Sequence, residues 1–332
     1  MLSACGKEQK GENMPWLMLT LSCILLWGIT DILLKKSLDY SDALSQYKTF
    51  IWIGLVATMS GTIAAFCSDT LSDSIRMLAG SLYLIPVTVF YVVAMFFGLL
   101  GAKHLDASVV SPLENIDGAI TAIILYIFYF FTGRSHVTDS IRFVDIVGTV
   151  AITVGVVLLG IQEQKLSKHE MNLDEDKKKH RLGALALLFP IAYNLADSAS
   201  MVAMSITVSG EAEASIPDID FFFFECFGFF VIAIVVWLYM LIVKKYMYNP
   251  FKKTELSRLG AATCETLGTL TFTIAVGIRP ILTAPIASSY CFVTILLARL
   301  FLKERLTKQQ YLSVAFVVAG IALLGLSEIL SA

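Results

Sequence analysis

Residues 284–325 read APIASSYCFVTILLARLFLKERLTKQQYLSVAFVVAGIALLG: an apolar run, the charged turn Lys303-Glu304-Arg305-Leu306-Thr307, and a second apolar run. Each run approaches the roughly 20 residues that, at about 1.5 Å rise each, cross a hydrocarbon core about 30 Å thick. Toward the N-terminus the same unit recurs. Ten spans are predicted, at 16–34, 44–66, 78–100, 107–131, 143–160, 182–206, 220–243, 258–277, 283–302 and 310–327. The expected fold is an all-α integral membrane protein with ten transmembrane helices. Composition agrees: 57% of residues are hydrophobic and 16% charged, where soluble domains carry about a quarter charged residues.

The two halves repeat. Val154-Gly155-Val156-Val157-Leu158-Leu159-Gly160 closes the fifth span, and Ala319-Gly320-Ile321-Ala322-Leu323-Leu324-Gly325 closes the tenth. Leu105-Asp106-Ala107-Ser108-Val109-Val110-Ser111 opens the fourth as Leu282-Thr283-Ala284-Pro285-Ile286-Ala287-Ser288 opens the ninth. Leu25-Leu26-Trp27-Gly28-Ile29 parallels Leu187-Leu188-Phe189-Pro190-Ile191. Five spans is an odd number, so the second copy enters from the opposite side: two inverted five-helix repeats, with a site expected between them. The predicted organisation is a polar tail at 1–15, a first repeat at 16–160, a charged linker at 161–181 and a second repeat at 182–332. The pairs Ala107/Ser111 and Ala284/Ser288 are small residues at helical spacing, suited to close backbone approach.

Loops after the odd-numbered spans hold most of the Lys and Arg, including Lys35, Lys36, Lys103, Lys244, Lys245 and the 161–181 cluster. The charge rule therefore predicts a cytoplasmic linker and both termini outside.

The 284–325 stretch resembles the end of an EamA repeat of the drug/metabolite transporter superfamily. In that pattern an apolar helix runs through a Gly-Glu-Arg-Leu-like turn into a Gly-containing helix; here Lys303 replaces the usual Gly. The first repeat carries only Thr132-Gly133-Arg134-Ser135 in that region. The resemblance implies ten helices, alternating access and carriage of small metabolites, with export as the expected direction and a bacterial inner membrane as the expected location. Some eukaryotic branches are described with cytosolic termini, the reverse of the charge count.

Carboxylates inside the spans indicate where chemistry resides, because an ionised Asp near mid-membrane costs about 2.5–3.5 kcal/mol on insertion scales. Glu114, Asp117 and Thr121 fall on one helical face, with Asn115 adjacent and Pro112 a turn earlier. Tyr193, Asn194 and Asp197 cluster after Pro190 in the sixth span, and Glu265 lies well inside the eighth. Asp31 sits four residues before Lys35, a spacing that also suits a structural ion pair. These nine polar residues are the candidate substrate or proton ligands. Pro112, Pro190 and Pro285 are the candidate helix breaks. Glu225 reads as a boundary residue, Arg299 as snorkelling, and Trp16, Trp27, Trp52 and Trp237 as belt or packing residues.

Other classes lack their signatures. The six cysteines occur singly, giving neither a disulfide framework nor a zinc site. Leu2-Ser3-Ala4-Cys5-Gly6 resembles a lipidation box, but no apolar run precedes it. No phosphate loop, zinc-protease helix or nucleophile elbow occurs. The four histidines, His104, His136, His169 and His180, are expected in loops. No enzyme activity, cofactor, metal or nucleic-acid partner is expected; lipid, a small solute and protons are. The expected function is secondary transport of amino acids, amines or similar polar or cationic solutes. A sugar or nucleotide-sugar carrier, a lipid-modifying enzyme and a non-transporting scaffold remain the rivals.

Overall fold

Backbone inside a bilayer has no water to bond, so an apolar span must close its hydrogen bonds within itself as a helix. The structure, a computed structural model, describes residues 13–38, 42–80, 84–105, 107–133, 141–173, 188–208, 216–250, 255–302 and 307–331, and these are helical with no strand among them. In order they form α1 (Asn13–Ser37), α2 (Ser45–Cys67), α3 (Leu71–Gly80), α4 (Ile85–His104), α5 (Ala107–Glu114), α6 (Asp117–Phe131) and α7 (Phe143–Leu173). Then follow α8 (Leu188–Val208), α9 (Asp218–Ile242), α10 (Leu256–Ile278), α11 (Pro280–Ala287), the 3-10 turn Ser288–Tyr290, α12 (Cys291–Leu302) and α13 (Lys308–Ser331).

Among the described residues, seven stretches are long and apolar enough to cross a membrane: Trp16–Ser37, Ser45–Cys67, Ile85–His104, Val110–Phe131, Asp218–Ile242, Leu256–Ile278 and Pro280–Ala298. Phe143–Leu159 and Tyr311–Leu324 are shorter apolar helices. Helix α8 has 21 residues, about 31 Å of rise, but buried Asn194, Asp197, Ser198 and Ser200 interrupt its apolar sequence. Large apolar side chains cover the outside, among them Met18, Phe66, Phe131, Leu195 and Leu300, more than a water-facing surface presents. The chain is a multi-pass membrane protein.

The principal packing partners are α7 with α13, α1 with α10, α2 with α9, α4 with α8, α2 with α10, and α6 with α11. Gly148 and Gly320 set the first contact: a Cβ on Gly320 would lie 2.6 Å from the Gly148 carbonyl oxygen.

Several predicted boundaries shift. The third span starts at Ile85, with Pro86 in its first turn where the missing N–H is harmless, and α3 is a separate short helix before it. Spans four and nine are each broken, at Asn115–Ile116 and at Ser288–Tyr290. Both breaks begin three residues after a proline inside the helix, Pro112 and Pro285. Pro190, by contrast, is the third residue of α8, which continues unbroken to Val208. The fifth span runs past residue 160 to Leu173, because Gln, Glu, Lys and Leu are good helix formers and no Gly or Pro follows until Gly183. That extension takes the first part of the predicted linker, including His169, into α7; His104 ends α4. The N-terminal lipidation-like box, residues 174–187, His136, His180 and the 303–306 turn lie outside the described residues.

One end of the bundle is tied by cations. Lys35 donates to the carbonyl oxygens of Ala102 (3.1 Å) and Leu105 (2.6 Å), groups the end of α4 leaves open. This replaces the Asp31–Lys35 pairing that the sequence spacing suggested. Lys103 donates to the Asp42 carbonyl (2.9 Å) and to Gln46 Oε1 (3.0 Å). Arg258 at the start of α10 bonds Glu255 Oε2 (2.6 Å), the Ser37 carbonyl (2.6 Å) and Thr49 Oγ1 (3.2 Å), joining three helices.

Asp42, in the loop before α2, belongs to the same network. Burial raises its carboxyl, but the hydrogen bonds from Lys48 (2.6 Å) and the Leu44 N–H (2.9 Å), with the Lys48 and Arg258 charges, outweigh burial and hold it below its ordinary value. A carboxyl held low in the folded state contributes stability above its unfolded value and loses it as pH falls through the folded value. Thermal stability should therefore fall on acidification below about pH 4, and less steeply in Asp42→Asn. Identical acid slopes for the two proteins would show that the pair contributes nothing.

Candidate functional site

A cavity lies between the helices. Six carboxylic acids line it: Asp31 from α1, Glu114 from the end of α5, Asp117 from the start of α6, Asp197 from α8, Glu225 from α9 and Glu265 from α10. Among the described residues of its wall none is Lys, Arg or His. Aromatic rings fill the space between the acids. Trp27 packs against Phe272 (centroids 5.2 Å apart) and Tyr290 (5.6 Å), and Tyr91 and Tyr193 complete the wall.

The acids are held by hydroxyls rather than by counter-charges. Thr294 Oγ1 donates to Asp31 Oδ2 at 2.8 Å, Tyr91 Oη to Glu265 Oε1 at 2.9 Å, and Ser288 Oγ to Asp117 Oδ1 at 3.2 Å. Other oxygens have no donor. Glu114 Oε1, Glu225 Oε2 and both Asp197 carboxyl oxygens are buried without a hydrogen-bond partner, as is the Trp27 indole nitrogen. A buried acceptor without a donor is costly (about 1–3 kcal/mol, more when charged). Such a cluster is poised to receive something that donates hydrogen bonds or carries positive charge.

The helix breaks make the site. Unwinding at 115–116 leaves the Leu113 carbonyl without its usual helical donor, and Asn194 Nδ2 supplies one at 2.7 Å while also bonding the Pro190 carbonyl at 2.7 Å. Ser198 Oγ donates to the Asp117 carbonyl at 3.2 Å. Asp117 becomes the first residue of α6, where the helix dipole favours a negative group. The break also changes the face. Asn115 turns away, its amide on the Ser111 carbonyl at 2.6 Å, beside a smaller cavity next to Ile152 and Pro285. Thr121 is buried against Met201 Sδ at 3.9 Å. Of the nine sequence candidates, Asp31, Glu114, Asp117, Tyr193, Asp197 and Glu265 meet in the cavity; Asn115, Thr121 and Asn194 lie behind it.

Glu225 and Trp27 also face the cavity, and the sequence reading placed them elsewhere. Glu225 is the eighth residue of α9, two turns inside the helix that Asp218 and Asp220 already begin. That depth is the sequence signal, and it depends on the helix beginning at Asp218 rather than at residue 220. For Trp27 no sequence signal separates a cavity ring from a packing ring.

Spans four and nine cross at Gly118. A Cβ there would run into Ser288 Oγ and lie 2.6 Å from the Ala284 carbonyl oxygen, so the small pair Ala284/Ser288 is the contact surface. The hydroxyl could rotate away, but the carbonyl is backbone. Gly118→Ala should cost about 1–3 kcal/mol through overpacking, read as a lowered melting temperature. Adding Ser288→Ala should recover only part of it; complete rescue would show that the carbonyl contact is immaterial.

No protein-family profile and no curated protein matches the sequence. Nineteen chains of solved structures match the fold. One, described only as the crystal structure of a protein, superposes on 96% of this chain and 99% of its own, with a TM-score of 0.64 at 14% sequence identity. At that identity the likeness concerns the fold alone.

Proposed function

We propose that the chain is a secondary carrier of small organic cations, amines first, built as ten membrane-crossing helices in two inverted repeats. One observation carries the substrate class: six carboxylic acids and a set of aromatic rings line one cavity with no basic residue among its described lining. A monovalent ammonium placed there would gain Coulombic attraction, hydrogen-bond acceptors that now lack donors, and ring faces for cation–π contact. An anionic sugar nucleotide would meet repulsion from every acid, which argues against the nucleotide-sugar alternative.

The repeat reading is supported by the pairing pattern. Exchanging the halves turns the contact of α1 with α10 into that of α8 with α4, and maps α2–α9 and α7–α13 onto themselves. The two proline-linked breaks occupy corresponding spans. Broken helices around a midplane cavity are the usual construction of carrier sites. The EamA resemblance, export as the direction, coupling to protons and a bacterial inner membrane belong to this reading and rest on the sequence.

The test is thermal stability of the purified protein against choline, mono- and diamines, amino acids, neutral sugars and nucleotides. A ligand at about 100 times its dissociation constant adds roughly 2.7 kcal/mol to the folded state. Stabilisation by amines or choline supports the reading, and uptake of that compound into proteoliposomes completes it. Stabilisation by sugars or nucleotides alone would replace it, and none by any class would favour a non-transporting role.

A further inference from the structure

Asp197 presents an unusual arrangement. Its two carboxyl oxygens are buried without a donor, and it shares the cavity wall with Asp117, whose carbonyl the adjoining Ser198 holds at 3.2 Å across the gap between α8 and α6. Two ionised carboxylates can only accept hydrogen bonds, so two that face each other need a proton between them. Among the described residues, the groups around the pair offer no cation. Glu114 on α5, Glu225 on α9 and Glu265 on α10 are acids; Tyr91 on α4 and Tyr290 in the 3-10 turn are phenols. Tyr193, one turn before Asp197, is another phenol, and Asp31 approaches through Glu114.

The pair also sits where α8 grips the break in span four. Asn194 holds the Leu113 carbonyl on one side of the break, and Ser198 holds the Asp117 carbonyl on the other. Asp197 lies between these two residues and lines the cavity together with Asp117. We propose that Asp117 and Asp197 form a proton-binding site, holding one proton between them, and that this proton clasps α8 to the broken fourth span. Loss of the proton to the cavity leaves two carboxylates in contact, and their repulsion loosens the grip at the break. The site stands on this geometry and does not depend on which solute the cavity carries.

Infrared spectroscopy of the purified protein at neutral pH tests it without any ligand, through the stretching band of protonated carboxyl groups. Asp117→Asn and Asp197→Asn should each remove one protonated carboxyl, because the new amide donates to the remaining carboxylate. The double variant, whose amides pair with each other, should remove no more than either single. Loss of none in the singles, or of more in the double, overturns a shared proton.

Backbone hydrogen exchange tests the clasp. Corrected for intrinsic rates, exchange in the first turn of α6 should quicken as pH rises in the wild type and stay constant in Asp197→Asn. Asp197→Ala should exchange there roughly tenfold faster. Equal pH responses in the wild type and Asp197→Asn would overturn the clasp even if the proton is shared.

Discussion

Neutralising two cavity acids from different helices, Asp31→Asn with Glu265→Gln, is expected to weaken binding of the preferred cation by at least a hundredfold. Hydrogen bonds to charged groups contribute about 1.5–3 kcal/mol each, or roughly 10- to 100-fold in affinity apiece. Both acids hold one hydroxyl donor, from Thr294 and Tyr91, and keep their remaining acceptor capacity for the cavity. The stability of the empty protein should move the other way. Both variants relieve repulsion among six acids confined to one cavity, so melting without ligand should hold or rise. Loss of binding with retained or increased stability marks a site kept for function at a cost to the fold. Equal losses of binding and stability would mark Asp31 and Glu265 as structural.

The second large effect is expected at the other end of the bundle. Arg258 is 8% exposed and bonds Glu255, the end of α1 and Thr49 of α2. Removing one member of a buried ion pair costs about 3–5 kcal/mol, because its partner stays buried and charged. Glu255 retains the Tyr248 hydroxyl, which places Arg258→Ala near the lower end, at about 3 kcal/mol. Pairing it with Glu255→Gln should recover part of the loss, since the uncompensated charge goes as well. A melting temperature unchanged in Arg258→Ala would show that water reaches this network and screens it. Affinity for the cation, measured where the variant is folded, should be unaltered, because Arg258 does not line the cavity.

The acids differ in how far the chain alone betrays them. Asp197 and Glu265 lie deep in apolar runs, where the cost of burying a carboxyl points to a cavity or partner, and both are in the cavity. Glu225 obeys the same logic but was hidden by a boundary error of two residues. Thr121 lies off the cavity for another reason. Extrapolating a face from Glu114 through Asp117 assumes an unbroken 3.6-residue period, and the unwound Asn115–Ile116 step resets the phase. Lys35 shows the limit for pairs: its spacing from Asp31 fits a salt bridge, but the open carbonyls at the end of α4 are nearer partners.

What the sequence determined by itself is the class of molecule: helices of membrane-crossing length, a multi-pass chain, and acids buried where they cost free energy. Those follow from local quantities, the length of an apolar run and the price of a charge in hydrocarbon. Only the tertiary structure decided that six acids from six helices share one cavity, that Asp197 and Asp117 line it together, and that Asn194 holds the break rather than lining the cavity. Helix rotation and the phase change at each break set those juxtapositions. They depend on contacts as distant in the chain as Gly118 with Ser288, and no periodicity within a single span encodes them.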